Sequence, residues 1–316
     1  MKDTILFGDC KDTLKTIDSK VQMCVTSPPY YGLRDYGGEE NQIGQENTPE
    51  EYIESLVQVF REVKNVLSDD GVLWVNIGDS YYNYRPGKGQ GLVKQSVSKT
   101  NQDLPTKCNR RANKLEGLKE KDLIGIPWML AFALRSDGWY LRQDIIWHKP
   151  NPMPESVKDR CTKSHEYIFL LSKNKKYYYD NEAIKEPVKQ DWGTRDRTKG
   201  KYHNSGTGLS PHSGLSKSYD RKNKRSVWSV TNKPYKDAHF AVYPPDLIEP
   251  CILAGSKEGD IILDPFMGSG TTGMVAKKLG RHYIGCELHE SYAELIDKRV
   301  PVDKPVHNAL TMALNM

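Results

Sequence analysis

Short apolar runs alternate with helical patterns along most of the chain. Runs that are apolar on both faces are typical of strands in a parallel sheet covered by helices. The pattern therefore predicts an α/β fold with a mainly parallel sheet. Seven runs are the strand candidates: residues 4–9, 23–27, 72–80, 140–148, 166–172, 260–266 and 281–287.

The clearest helix is predicted for residues 48–71. Thr48 is placed to cap it, Pro49 suits its first turn and Glu51 completes a capping box. Apolar residues at helical spacing form one face, and the Asp-Asp-Gly sequence at 69–71 predicts its end. Four further helices are predicted: one within residues 123–139, where Pro127 can only begin or kink it, and others around 244–256, from Thr271 and over 290–300.

Composition is that of a globular chain, with 37% hydrophobic and 28% charged residues among 316. No apolar run reaches the roughly 18–20 residues of a membrane span, and the start lacks a signal-peptide pattern, so we expect a cytoplasmic protein. Six scattered cysteines form no CxxC pair and have no histidine at metal-ligand spacing, which predicts neither a disulfide framework nor a metal site.

Positive charge is concentrated in two segments. Residues 80–121 hold ten Lys or Arg against three acidic residues, and residues 172–225 hold fourteen against six. Both segments are poor in aliphatic residues and contain interspersed tyrosines. This combination favours the binding of a polyanion with stackable bases. A charged run without tyrosines would fit a solvated surface equally well.

A glycine-rich turn follows the strand candidate at 260–266. Gly268, Gly270 and Gly273 precede a helix, and Glu287 ends the next strand, a spacing typical of nucleotide-binding loops. Taken alone, this pattern suggests a nicotinamide enzyme. However, Asp264 would repel a pyrophosphate and attract an ammonium group, so we expect a nucleoside that carries a cationic amine, such as S-adenosylmethionine.

The second unusual stretch is VTSPPYYGLRDY, residues 25–36, where a strand candidate runs into two prolines. Two adjacent prolines cannot continue a central strand, so the chain must turn at Ser27–Tyr30. An ordinary strand-ending turn explains this stretch if it stands alone. Together with the glycine loop, the hydroxyl, carbonyl and aromatic groups of this corner predict a site for a flat substrate.

The motifs TSPPY at 26–30 and DPFMGSGTT at 264–272, in this order, resemble those of the beta-type amino-group DNA methyltransferases. FGDC at 7–10, HFAVYPPDLI at 239–248 and GCE at 285–287 resemble that family's segments around the adenine, methionine and ribose parts of the cofactor. The resemblance implies a Rossmann-like methyltransferase fold with circularly permuted motifs and a mainly parallel seven-stranded sheet.

The resemblance also implies roles for individual residues. The implied catalytic residues are Ser27, Pro28, Pro29 and Tyr30. The Ser27 hydroxyl and the Pro28 carbonyl accept hydrogen bonds from the target amino group, and Tyr30 stacks on a flipped-out base. S-adenosylmethionine is the implied cofactor, and no metal is expected. The implied cofactor-binding residues are Asp9, Cys10, Thr26, Phe240, Asp264, Pro265, Phe266, Gly268, Ser269, Gly270, Thr271, Thr272 and Glu287.

Ser at the first position of the motif usually accompanies cytosine in this family, so the predicted target is cytosine N4, with adenine N6 as the alternative. An RNA or protein-glutamine methyltransferase, a nicotinamide oxidoreductase and a non-catalytic DNA-binding module are further alternatives. Tyr31, Arg34 and Tyr36 are expected either to touch the substrate or to pack the loop. Cys251, next to Pro250 in an apolar helical pattern, is expected to be a buried cysteine.

The predicted catalytic domain comprises residues 1–171 and 236–301, with a basic inserted loop at 80–121. Residues 172–235 occupy the place of the family's target-recognition region, and residues 302–316 form a tail. The implied partner is double-stranded DNA in a bacterial or phage-encoded setting, with no membrane. The resemblance also allows a homodimer and a cognate restriction endonuclease.

Overall fold

The computed structural model describes residues 1–32, 42–82, 115–188, 220–232 and 243–300. Phe240, Arg34, Tyr36, most of both basic segments and the predicted tail lie outside these ranges. None of the helices within them is long and apolar enough to cross a bilayer.

Within the described ranges eight strands form one sheet. Their bounds are Thr4–Phe7 (β1), Val21–Thr26 (β2), Leu67–Ile77 (β3), Tyr140–His148 (β4), His165–Ser172 (β5), Val227–Ser229 (β8), Ile261–Asp264 (β9) and His282–Glu287 (β10). The order in the sheet is β1-β10-β9-β2-β3-β5-β4-β8. Of these, β5 runs antiparallel to its neighbours and the others share one direction, which confirms the predicted mainly parallel sheet. Glu186–Pro187 (β6) and Arg221–Lys222 (β7) pair separately.

The eighth strand is an addition to the seven that were expected. β8 has only three residues and comes from the predicted target-recognition region, residues 172–235. It pairs with the end of β4, where Ile146 lies opposite Val227. Residues at the end of the segment 172–235 therefore extend the sheet that carries the candidate site.

Helices cover both faces of the sheet. The first, second and third helices pack on one face with Leu73 and Val75, and the fourth, fifth and sixth pack on the other with Val72 and Trp74. Successive residues of β3 thus supply both cores, as expected for a strand buried on both sides. The bounds are Cys10–Thr13 (α1), Pro49–Val66 (α2), Ile126–Ser136 (α3), Pro245–Gly255 (α4), Thr271–Lys278 (α5) and Ala293–Arg299 (α6).

The helix α2 confirms the predicted capping box. The Thr48 hydroxyl accepts from the Glu51 backbone N–H at 3.1 Å, and the Glu51 carboxylate accepts from the Thr48 N–H at 3.3 Å. The predicted end at 69–71 was wrong, because the helix ends at Val66 and Leu67 already has extended backbone angles. Leu67 lies opposite Val21, so strand pairing outcompetes one more helical turn.

The sheet has a topological switch point between β9 and β2. From β9 the chain moves to β10 on one side, and from β2 it moves to β3 on the other. Helices that leave adjacent strands in opposite directions open a crevice at the carboxyl ends of those strands, where α/β proteins bind ligands. Because β5 is antiparallel, its first residues lie at this same edge of the sheet.

Candidate active site at the carboxyl edge of the sheet

Asp264, the last residue of β9, joins the two strands at the switch point. Its side chain is 1% exposed and accepts the hydroxyl hydrogen of Thr26 at 2.5 Å. It also accepts from Tyr243 at 3.0 Å, from Thr272 at 2.5 Å and from the Phe266 N–H at 3.0 Å. Burial raises the pKa of Asp264, and these hydrogen bonds act in the opposite direction.

These contacts change how Asp264 can act on a bound cation. Its two oxygens are already engaged by donors of the protein itself, so it attracts a positive charge through its field more than by direct contact. Its second effect is structural, since it ties the end of β2 and the start of α5 to one turn. The two motifs that carried the family resemblance therefore adjoin.

The glycine loop between β9 and α5 has a backbone that favours glycine. Gly268 has φ +51° and Gly270 has φ +82°. A Cβ at Gly270 would lie 3.0 Å from Val300 Cγ2 and 3.3 Å from Ile296 Cγ2, so the loop packs closely against α6. The left-handed turn and the close approach both explain the glycine here.

Glu287, at the end of β10, lies beside this loop. Its carboxylate accepts from the backbone N–H of Gly268 at 2.8 Å and of His289 at 3.1 Å. Burial raises the pKa of Glu287 to about 7, although these backbone hydrogen bonds favour the ionised form. A carboxylate so placed suits the hydroxyl groups of a ribose.

The predicted FGDC segment lies next to Glu287. Gly8 donates its N–H to the Glu287 carbonyl at 2.9 Å, because β1 pairs with β10. Asp9 caps α1 by accepting from the Lys11 N–H at 2.9 Å, and Cys10 is buried. Asp9 and Cys10 thus belong to the same edge of the sheet as the glycine loop.

The remaining predicted cofactor residues line the turn from β9 into α5. Pro265 is buried, Phe266 is half-buried, and the Ser269 hydroxyl is hydrogen-bonded to Arg299. The Thr271 hydroxyl is buried and has no hydrogen-bond partner among the described residues. Buried polar atoms are normally satisfied, so this hydroxyl suits a polar group of a ligand. Together with Glu287, it fits the nucleoside cofactor that the family resemblance implies.

The corner Ser27–Tyr30 follows β2 directly and is held from several sides. Pro28 is buried, and the Pro29 carbonyl accepts from the Tyr52 hydroxyl at 2.7 Å. The following turn is held by a backbone hydrogen bond from Gly32 to Gly44 at 2.8 Å.

Tyr31 packs the loop. Its side chain is 5% exposed, its hydroxyl donates to the Asn47 carbonyl at 3.2 Å, and its ring contacts that of Tyr52. Of the two roles expected for Tyr31, packing is the one that these contacts support. Cys251 is fully buried within α4, as expected, and burial raises the pKa of its thiol.

Tyr30 is fixed by polar contacts that the sequence did not predict. Its hydroxyl donates to Glu166 at 2.6 Å and lies 3.4 Å from Asn76 Oδ1. Burial is the largest cause that raises the pKa of Tyr30, and Glu166 is the next, whereas Ser27 acts in the opposite direction. On one side of the ring, a Cβ at Gly78 would come within 2.8 Å of Tyr30 Cε2.

Asp79 is another residue that sequence reasoning missed. Its carboxylate accepts the backbone N–H groups of Ser80, Gly125 and Ile126 at 2.9–3.1 Å and so caps the start of α3. Its carbonyl accepts from Lys163 at 2.8 Å. Gly125, which precedes α3, has no side chain that could cap the helix. The sequence does not show which residue of another segment accepts the free N–H groups.

The comparisons with known proteins concern the family and the fold. A family model described as DNA methylase, of the N6/N4 methyltransferase type, matches residues 21–298. The type II methyltransferase M.SmaI of Serratia marcescens is 48% identical over 302 residues, covering 94% of this chain and 90% of that protein.

Two solved structures share the fold. PvuII DNA methyltransferase (cytosine-N4-specific) superposes with a TM-score of 0.62 at 16% identity, covering 99% of this chain and 91% of that one. The complex of M1.HpyAVI with SAM superposes with a TM-score of 0.55 at 17% identity, covering 95% and 98%. At these identities the two structures support the fold.

Proposed function

The chain belongs to the DNA methylase family of the N6/N4 type, and from this membership we propose that it transfers a methyl group from S-adenosylmethionine to the exocyclic amino group of a base in duplex DNA. The observation that carries the proposal is the contact of Thr26 with Asp264 at 2.5 Å. It joins the ends of β2 and β9, from which the Ser27–Tyr30 corner and the glycine loop begin, and a transfer between two substrates requires such neighbouring groups.

The corner supplies what an amino group needs to react. The nitrogen of an exocyclic amine is a poor nucleophile because its lone pair is delocalised into the ring. The Ser27 hydroxyl and the Pro28 carbonyl accept its hydrogens and direct the lone pair at the methyl carbon. Two prolines, and the hydrogen bond from Tyr52 to the neighbouring Pro29 carbonyl, hold the corner in place before the base arrives, so little orientational entropy is lost at that moment.

The glycine loop and the end of β10 would hold the cofactor. Glu287 would accept from the ribose hydroxyls, the Thr271 hydroxyl would meet a polar group, and the field of buried Asp264 would favour the positively charged end. When bound, S-adenosylmethionine supplies a methyl group activated by a positively charged sulfur.

A base cannot reach this crevice while stacked in a duplex, so it must be flipped out at a cost of a few kcal/mol. Tyr30 would stack on it, and the basic segments 80–121 and 172–235 would contact the phosphates, the latter as the target-recognition region. A homodimer, a cognate restriction endonuclease and a cytoplasmic location remain predictions of the family resemblance.

We propose cytosine N4 as the target atom, because Ser27 stands at the first position of the corner. The test is mass spectrometry of nucleosides from unmethylated DNA treated with the protein and labelled S-adenosylmethionine. We expect N4-methyldeoxycytidine. N6-methyldeoxyadenosine alone would overturn the proposed base but not the activity, and unmodified DNA after treatment with folded protein would overturn both.

A further inference from the structure

A charged cluster lies directly behind the Tyr30 hydroxyl. Glu166 accepts this hydroxyl with one carboxylate oxygen at 2.6 Å and the Lys149 ammonium with the other. Asn76 donates to Glu166 at 3.3 Å and to the Tyr167 carbonyl at 3.2 Å. Glu166 is therefore surrounded by three donors from three segments of the chain.

The ion pair is largely shielded from water. The side chain of Lys149 is 17% exposed and that of Glu166 is 14% exposed. Lys149 also lies over the Trp147 ring, 4.2 Å from its centroid. Withdrawing two charges from water is costly, and a pair like this is weak evidence for a role in stability. Its position beside a predicted catalytic side chain calls for another explanation.

Both members of the pair are anchored on neighbouring strands. Lys149 follows β4 directly and donates its N–H to the Ser164 carbonyl at 2.8 Å, just before β5 begins. Glu166 lies opposite Trp147 in the β4–β5 ladder. The Glu166 carboxylate lies on one strand and is paired with a lysine that follows the neighbouring strand, so it has little freedom to move. The Tyr30 hydroxyl that donates to it is held as well.

We propose that Glu166, oriented by Lys149, is a positioning residue that fixes the Tyr30 ring for the incoming base. This inference rests on the proposed function. Without the hydrogen bond, the ring is restrained on one side by Gly78 and must lose its remaining rotational freedom when the base arrives. With it, the ring is aligned in advance, and the gain appears in the rate of methyl transfer.

The test is a double-mutant cycle with Tyr30→Phe, Glu166→Ala and the two combined. The kcat and the KM for unmethylated plasmid DNA are measured with labelled S-adenosylmethionine, and S-adenosylhomocysteine binding is measured separately. Each single variant should lower kcat by about tenfold, as expected for a lost hydrogen bond to a charged group. The double variant should be no slower than the slower single variant, because both changes remove one interaction.

Conservative replacement separates positioning from a structural role. Glu166→Gln keeps an acceptor oxygen for Tyr30 and should recover most of the kcat that Glu166→Ala loses, with S-adenosylhomocysteine binding unchanged. The matched control is Glu249→Gln, which removes an ion pair with Lys278 at 3.0 Å, between α4 and α5, and should leave kcat unaltered.

The outcomes are distinct. If Glu166→Ala does not fold, Tyr30→Phe carries the test, since it removes the same hydrogen bond and keeps the ring. Full kcat in Tyr30→Phe, or additive losses in the double variant, would overturn the positioning role and leave the proposed function standing. A wild-type protein that methylates no DNA would overturn both.

Discussion

Thr26 donates its hydroxyl hydrogen to Asp264 across 2.5 Å, although 238 positions separate the two residues. Each is the last residue of its strand, β2 or β9, and both side chains are buried. One hydrogen bond thus links the strand that leads into the Ser27 corner with the strand that leads into the glycine loop. The proposed reaction depends on this adjacency.

Thr26→Val removes this donor while keeping the shape of the side chain. A buried carboxylate that loses one of four donors should lower the free energy of unfolding by about 1–3 kcal/mol, measured by urea denaturation. The control is Thr16→Val, where an exposed side chain loses a hydrogen bond to the Thr13 carbonyl at 2.7 Å. Equal decreases in the free energy of unfolding of the two variants would contradict the importance assigned to the buried hydrogen bond.

Gly270→Ala tests the close packing of the glycine loop. A matched control exists in Gly259, which has φ +83° and open space around its Cβ position, whereas Gly270 has φ +82° and close neighbours in Val300 and Ile296. Backbone strain should cost each alanine variant about 1 kcal/mol. Overpacking should add about 1–2 kcal/mol at Gly270, together with weaker S-adenosylhomocysteine binding. Similar unfolding curves for both variants would refute this account of the loop.

Cofactor affinity should depend on pH through Glu287. Burial raises its pKa to about 7, and the proposed function has the ionised carboxylate accept from the ribose hydroxyls. Binding therefore favours deprotonation, so S-adenosylhomocysteine should bind about tenfold more tightly at pH 8 than at pH 6. Calorimetry at both pH values measures this ratio. Glu287→Gln should bind weakly with a flat profile, and a wild-type affinity that rises as pH falls would reverse the predicted sign.

Tyr52→Phe should loosen the Ser27–Tyr30 corner without leaving a cavity in the core. The variant keeps the buried ring and removes the hydrogen bond to the Pro29 carbonyl at 2.7 Å. We expect kcat to fall by about threefold to tenfold with unchanged S-adenosylhomocysteine affinity, because the corner that carries the Pro28 carbonyl is less firmly held. Tyr140→Phe, at a 45% exposed position, is the control. Equal kcat values in the two variants would contradict the bracing role.

Much of the fold follows from patterns within single segments. The capping residues of α2 and the apolar runs of the strands are local signals, and the structure confirms them. The end of α2 was mispredicted because Leu67 fits a helical face equally well. Its extended conformation depends on pairing with Val21, which lies on a different strand. A sequence pattern cannot weigh such competition between local and long-range contacts.

In the candidate site, too, local features could be predicted from the sequence and long-range contacts could not. Both motifs stand at strand ends, where α/β proteins carry their chemistry, so their residues could be predicted. Glu166 and Lys149 could not, because their proximity to Tyr30 arises from the antiparallel return of β5 to the same edge. The engagement of Asp264 by four donors was likewise invisible in the sequence.

The central claim is that the corner at Ser27 and the loop at 264–272 form one site for methylating an amino group. The most direct measurement is methyl transfer to DNA by the combined Ser27→Ala and Tyr30→Ala variant, alongside its affinity for S-adenosylhomocysteine. We predict that transfer falls by at least about tenfold to a hundredfold while the affinity is retained. Transfer at the wild-type rate by this variant would contradict the account.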